Sequence, residues 1–348
     1  MHLSVLDQSP IISGHTPAQA VHETIRLVKA AEQLGYYRYW LAEHHSISAL
    51  ADPCPEILVA RVVAETSRIR VGTGGVLLPY YSPLKVAEQF RMLEALSPGR
   101  IDLGIGRAPG GDQVTALAMG EGRYPGAEHF PEQVQYLVAY LDDALPPDHP
   151  FAPVKVMPAG RTAPEVWLLG SSDYSGALAA RLGLRFAFAH FISAEGGDAV
   201  MRAYKRRYEP SPREPAPHTL LCVFVICAET SAEAEQLAAS IDLRRLNMDR
   251  GVNAPVPNED EARNHPYSEA DRRRIAHHRR RVVLGEPAAV RDRLLELQAQ
   301  FQADELMVIT ITGSYDTRLK SYELLAEAFG LATRPAGATP PGAWRQPE

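Results

Sequence analysis

The sequence predicts an α/β fold, a (β/α)8 TIM barrel with loop insertions at its C-terminal face. Three observations predict it. Eight short apolar runs of strand length alternate with helical segments, each strand followed by a helix. Several of the runs, among them EVWLL (165–169) and LLCVFVICA (220–228), are apolar almost throughout, as parallel strands buried on both faces must be. Polar residues gather where these runs end, at the face where barrels of this class carry their chemistry. A doubly wound open sheet is the competitor, but eight units close naturally into a barrel. With no internal repeat and no break in composition, residues 1–330 form one domain, and 331–348, with four prolines and few large apolar groups, form a Pro/Gly-rich tail.

Taken in order, Leu3–Leu6 is the first strand and ends at Asp7-Gln8-Ser9-Pro10. Thr16 caps a helix with Pro17 at its first position, Val21, Ile25 and Val28 along one face, and Gly35 at its C-terminus. Tyr37–Ala42 is the second strand, ending in Glu43-His44-His45, and a helix covers about 55–67. Ile69–Leu77 is the third, unusual for its run Gly72-Thr73-Gly74-Gly75; Pro83 then opens a helix closed by Ser97-Pro98-Gly99. Ile101–Ile105 leads into a long glycine-rich loop (106–126) and a helix at about 130–144. Six prolines make 145–164 an irregular connection. Glu165–Leu169 and Arg185–Ala189 are strands five and six, each followed by a helix, and Leu220–Ala228 is the seventh. A helix spans 231–247, and 248–283 carries a polar, Pro-bearing insertion and a basic helix. Helix 287–302, strand Glu305–Ile311 and helix 316–329 complete the set.

Bulk properties bound the function. With 348 residues, 45% hydrophobic and 22% charged, the chain has ordinary globular composition and needs no covalent or metal staple. A net charge of −6 leaves no basic footprint for nucleic acid and argues against anionic membrane surfaces. Cys54, Cys222 and Cys227 show no CxxC spacing, which fits a reducing compartment and argues against a disulfide framework or zinc site. The N-terminus has no signal-peptide pattern, and no apolar stretch reaches membrane-spanning length, so the cytoplasm is the expected location.

The strand ends supply the candidate residues. Two adjacent histidines after a glutamate, His44 and His45, suit acid–base chemistry better than a lone surface histidine would; Glu-His-His lacks metal-ligand spacing, so no metal is expected. Glycines inside the third strand mark either a barrel bend or close approach of backbone to a flat ring. Arg107 is placed to fork onto a phosphate, or else to pair with Asp112. Ser171, Ser172 and Ser175 lie where a strand meets a helix N-terminus, an anion site, or else a plain cap by Ser172 or Asp173. His190 ends the sixth strand. GIGR at 104–107 opens like a dinucleotide fingerprint, but Pro109 occupies the third glycine's place and the match fails.

In the segments YWLAEHH (39–45), IRVGTGGVLLPYYSPLKVAEQFRMLEALSPGRIDLGIGR (69–107), LLGSSDYSGALAARLG (168–183) and ADELMVIT (303–310), the sequence resembles the luciferase-like flavin monooxygenase family, nearest its single-chain branch. The resemblance implies an oxidoreductase using reduced FMN and O2 to oxygenate a small organic substrate such as an aldehyde or aromatic compound. It implies His44 as the catalytic histidine, Arg107 on the FMN phosphate, and Ser171, Ser172 and Ser175 on phosphate and ribityl. It places Gly74 and Gly75 under the flavin ring, with a non-proline cis peptide between them, and counts His190 among the cofactor contacts. A separate flavin reductase would supply the reduced FMN, since no intact nicotinamide fingerprint is present. The family often dimerises, and the helices after strands two and three would supply a homodimer interface. Departures from true luciferase are Ser171-Ser172 where that enzyme has a glutamate, and a different lid at 248–268. Three alternatives stand: a deazaflavin-dependent hydride-transfer oxidoreductase on the same fold, a non-catalytic flavin-binding protein, and an aldolase-like barrel, for which no strand-end lysine is found.

Overall fold

The computed structural model describes residues 2–123 and 126–332. The tail beyond residue 332 lies outside the described residues. Nine parallel strands form: β1 (His2–Asp7), β2 (Arg38–Leu41), β3 (Arg70–Leu77), β4 (Ile101–Gly106), β5 (Glu165–Gly170), β6 (Arg185–Ala189), β7 (Thr219–Cys227), β8 (Val282–Gly285) and β9 (Glu305–Ile309). Strands β1 to β7 pair in sequence order, and β9 joins β7 to β1, with His2 opposite Glu305 and Leu220 opposite the same residue. The eight-stranded barrel is therefore closed.

The helices run α1 (Pro17–Leu34), α2 (Pro55–Ala64), α3 (Pro83–Leu96), α4 (Gln113–Met119), α5 (Phe130–Asp142), α6 (Asp173–Arg181), α7 (Gly197–Arg206), α8 (Ser231–Asp249), α9 (Glu259–Asn264), α10 (Glu269–Arg279), α11 (Pro287–Phe301) and α12 (Tyr315–Ala328). At α1 the expected ends hold: Thr16 and Gln19 form a capping box, and Gly35 closes the helix with φ 89°.

Three expectations need correction. Among the described residues the sheet has nine strands, the eight of the expected barrel and one more. Val282–Gly285, expected near the end of a basic helix, is β8. β7 is nine residues long, and β9 pairs only with Leu220–Phe224; β8 takes the groups that would otherwise be left unpaired from Phe224 to Cys227. The glycine-rich loop holds a short helix, α4, capped by the Asp112 side chain on the Thr115 amide. The segment 248–283 makes two helices, α9 and α10, each opened by its own capping box.

Alternation along the strands explains the interior. Arg38, Arg70, Asp102, Glu165 and Glu305 all stand in the first or second position of a strand and all are buried. They meet inside the N-terminal end of the barrel. Arg38 donates from Nε to Glu305 (2.8 Å) and from Nη1 to Asp102 (2.6 Å) and Glu165 (3.2 Å); Arg70 donates to Asp102 (2.6 Å). Arg185 reaches Glu165 at 2.7 Å. Two residues further along their strands, Trp40 and Trp167 cross edge-to-face at 5.4 Å, and Trp40 Nε1 donates to Asp102 (2.9 Å). These charged and aromatic layers plug the barrel from below. An opening remains at the C-terminal ends of the strands.

Candidate active site

That opening is a cleft enclosing about 280 Å³. Its floor is Leu6, Trp40, Cys222 and Met307, inward residues of β1, β2, β7 and β9. Its rim gathers His44, Gly74, Gly75, Arg107, Ser171, Ser172 and Ser175 from four different strand ends. Seven of the eight residues expected from sequence therefore lie together. The eighth, His190, does not line the cleft. Ala187 and Ala189 line it, and His190 packs edge-on against Phe301 of α11, with ring centroids 5.5 Å apart. Its place in the outer layer, between barrel and helix, does not suit a cofactor contact.

The peptide between Gly74 and Gly75 is cis. Packing requires glycine at 75, where a Cβ would stand 2.5 Å from the Gly104 carbonyl; at Gly74 a Cβ would press on the end of the Leu6 side chain at 2.7 Å. The β3–β4 register shifts between Thr73 and Val76, so the barrel bends here. The bend also presents bare backbone to the cleft.

Arg107 is exposed, and its guanidinium lies 4.1 Å over the ring of Tyr174, in the first turn of α6. It does not pair with Asp112, whose carboxylate is occupied capping α4. Ser172 holds the N-cap position of α6 without a capping hydrogen bond. A guanidinium, three hydroxyl groups and a helix N-terminus thus converge at one end of the cleft, a donor set for a phosphate.

The end of β2 carries the two histidines, and the fold treats them differently. His45 Nε2 bonds Glu43 (2.7 Å), whose carboxylate also accepts from the Tyr81 hydroxyl (2.6 Å) and the Leu77 amide (2.9 Å). Glu43 and His45 therefore lock the β2 end to β3. His44 lines the cleft, and its Nδ1 is buried with no hydrogen-bond partner. Burial, then the positive charge of Arg244 on α8, push its pKa down to about 4, so the imidazole is neutral at pH 7.

Sequence reasoning missed Asp52, whose carbonyl accepts from the His44 amide (3.0 Å). Asp52 is 4% exposed, and one carboxylate oxygen has no partner. Burial first, then the charges of Asp7, Glu56 and Glu43, raise its pKa to about 7 despite a hydrogen bond from the Cys54 amide. A raised carboxyl favours the folded state at low pH and loses that advantage as pH climbs from about 4 through about 7. Asp52→Asn should therefore match the parent's melting temperature at pH 4 and exceed it at pH 8, by about 1–2 °C per kcal/mol recovered. Thermal melts at the two pH values check this.

Residues 1–303 match the luciferase-like monooxygenase family. The chain belongs to that family. Among curated relatives, an uncharacterised Bacillus subtilis protein, YceB, is 46% identical over 94% of this chain and 99% of its own length. The N-acetyl-S-alkylcysteine monooxygenase of the same organism is 33% identical over 96% of this chain and all of its own length. Among solved structures, apo-MsnO8 superposes with a TM-score of 0.89 at 42% identity, covering 96% of this chain and 99% of that one. Two distant structures share the fold alone: an FMN complex of the oxygenating constituent of 3,6-diketocamphane monooxygenase (TM-score 0.70, 18% identity) and an F420-dependent secondary alcohol dehydrogenase (TM-score 0.68, 11% identity). In this luciferase-like protein the polar groups of the cleft come from the ends of β2, β4 and β5, among apolar side chains and bare glycine backbone. Among the described residues no group of three or more His, Cys, Asp or Glu side chains could hold a metal ion, and no helix is long and apolar enough to cross a membrane.

Proposed function

We propose that the protein is a flavin-dependent monooxygenase that takes reduced FMN from a separate reductase and oxygenates a small organic molecule. The observation that carries this reading is the cleft's lining: Arg107 and the start of α6 after β4 and β5, a neutral His44 after β2, and apolar walls. The residues fit FMN. Arg107, Ser171, Ser172 and Ser175 would hold its phosphate and ribityl chain, and the backbone at Gly74-Gly75 leaves room for its ring. Bound and reduced, FMN supplies the two electrons with which one atom of dioxygen enters the substrate and the other becomes water. The protein's part is to orient and to exclude water. Leu6, Trp40, Leu169 and Met307 dry the cleft, and His44 holds or accepts a proton beside the reacting atoms.

The substrate class we propose is a thioether or similarly electron-rich small molecule, by likeness to the N-acetyl-S-alkylcysteine monooxygenase. Deazaflavin is the competing cofactor, because one neighbour of this fold is F420-dependent. An anaerobic titration with reduced FMN, oxidised FMN and deazaflavin, followed by admission of air, separates the readings. Preferential binding of reduced FMN with oxygen uptake that rises on adding substrate supports the proposal. Tight binding of deazaflavin alone moves the protein to hydride transfer. Binding of oxidised FMN with no oxygen uptake makes it a flavin carrier.

Two copies are proposed to pair through α2 and α3, where Ile57, Met92 and Leu96 are 68%, 53% and 63% exposed. Sedimentation velocity should report a dimer, and Ile57→Glu with Met92→Glu should convert it to a monomer.

A further inference from the structure

The roles assigned so far leave one polar side chain of the cleft without a task. Arg107 and the three serines follow β4 and β5, His44 follows β2, and the Glu43 carboxylate is taken up by His45, Tyr81 and the Leu77 amide. Gln8, the residue after β1, also lines the cleft, and no hydrogen bond joins its side-chain amide to any described residue.

The residues on either side of Gln8 turn away from the cleft and hold the backbone from outside. Asp7 is buried and accepts from the Ser9 amide (2.7 Å), Arg318 Nη2 (2.6 Å), the Thr24 hydroxyl (3.0 Å) and the Tyr39 hydroxyl. Ser9 is buried too, at φ 49°, a left-handed conformation uncommon for a residue with a side chain, and its hydroxyl bonds that of Thr24 (2.9 Å). Its carbonyl accepts from the Ala51 amide (2.9 Å), in the loop that follows His44. This anchoring presents Gln8 to the cleft, two residues beyond Leu6 on the same face of the strand.

Barrel order gives its neighbours. β1 pairs with β2, the Ala42 amide donates to the Asp7 carbonyl (3.0 Å), and His44 is two residues beyond Ala42. Around the closed barrel β1 is four strands from β5 in either direction. Gln8 therefore stands beside the strand that carries the histidine and across the barrel from the serines. On its other side the cleft is lined from β9, β7 and β6 by Met307, Leu220, Cys222, Phe191 and Ile192, among others, and by no charged side chain.

We propose that Gln8 binds a neutral, amide-like group of the substrate and so selects which molecules settle beside His44. The inference rests on reading the cleft as an oxygenation site, and it narrows the substrate to largely apolar molecules with one uncharged group that both donates and accepts. A glutamine amide offers one acceptor and two donors, so a carboxamide can meet it with two hydrogen bonds. Between apolar walls a ligand that displaces water from Gln8 without replacing its hydrogen bonds leaves the amide unpaired, and the site rejects it.

Two thioether probes with equal numbers of non-hydrogen atoms test this: N-acetyl-S-methylcysteamine, which carries a carboxamide, and hexyl methyl sulfide, which has none. Their binding to the full chain is followed by calorimetry in the absence of oxygen, with and without reduced FMN. The ratio of amide to sulfide affinity should fall about tenfold or more from the parent to Gln8→Met, whose side chain has similar reach and no amide. Gln8→Glu should lose the amide preference and bind S-methylcysteamine, a cationic amine, more tightly than the parent does. Gln8→Met should melt within about 1 °C of the parent, because the Gln8 amide holds nothing in the fold, and should bind reduced FMN as the parent does. The proposal is overturned if the ratio is unchanged in Gln8→Met or the parent binds neither probe. It is overturned as well if Gln8→Met melts several degrees lower, which would give the amide to the fold, or loses reduced FMN, which would give it to the flavin. A parent that takes no reduced FMN would remove the flavin reading, and the ratios measured without flavin would still decide the role of Gln8.

Discussion

Replacing Arg38 with Met is expected to lower the free energy of unfolding by about 3–5 kcal/mol, the usual cost of stranding a buried ion-pair partner. Arg38 is 1% exposed and ties three carboxylates from three strands: Asp102 of β4, Glu165 of β5 and Glu305 of β9. Its loss is not felt equally. Asp102 keeps Arg70 and Trp40, and Glu165 keeps Arg70 and Arg185, whereas Glu305 keeps only the Ser4 hydroxyl, and its Oε2 already lacks a partner. Methionine fills much of the same volume, so the loss measures unpaired charge more than a cavity. The damage also has a pH signature. Burial works to raise the pKa of Glu165, but the guanidinium groups of Arg70, Arg185 and Arg38 outweigh it and hold the group at about 2. A depressed carboxyl stabilises the fold fully above its unfolded value of about 4.5 and loses that stabilisation as pH falls through about 2. Urea denaturation at pH 7 and at pH 3 should show the Arg38→Met deficit shrinking in acid. A deficit under about 1 kcal/mol at pH 7 would mean the network is replaceable by apolar packing.

That network shows where sequence reading stops. Each of its residues stands at the start of an apolar strand, which is a visible pattern, but partners 20 to 267 residues apart become partners only when the barrel closes. The strand ends were legible for the opposite reason. Glu43-His44-His45, Gly106-Arg107 and Gly170-Ser171-Ser172 break apolar runs abruptly, and the fold class alone then puts them on one face. Strand parity would also have excluded His190: if Ala187 and Ala189 face inward, the residue after them faces out. β8 was hidden because VVLG follows a basic helix with no turn signal, and its strand state depends on the spare length of β7. Arg244 was hidden among the basic residues of 244–281, since the sequence does not show which of them the fold buries.

His44→Asn should lower turnover by about 10²–10⁴-fold, the range for removing a general acid or base, while reduced FMN binds within about twofold of the parent. Asparagine keeps a polar side chain of similar reach and removes the ability to exchange a proton near neutrality. The separation is expected from where the groups stand: the donors proposed for the phosphate follow β4 and β5, and His44 follows β2. The pH profile carries the finer test. In the free protein, burial and Arg244 hold His44 at about 4, so the neutral form is complete above about pH 5 and is lost as pH falls through 4. The acid limb of kcat/KM, which reports the free enzyme, should therefore fall near 4 rather than near the ordinary 6.5 of a histidine. Arg244→Met should raise the free-enzyme limb by itself, because the repelling charge is gone. A kcat/KM limb near 6.5, or a loss of FMN binding in His44→Asn, would remove His44 from its assigned role, whatever the substrate proves to be.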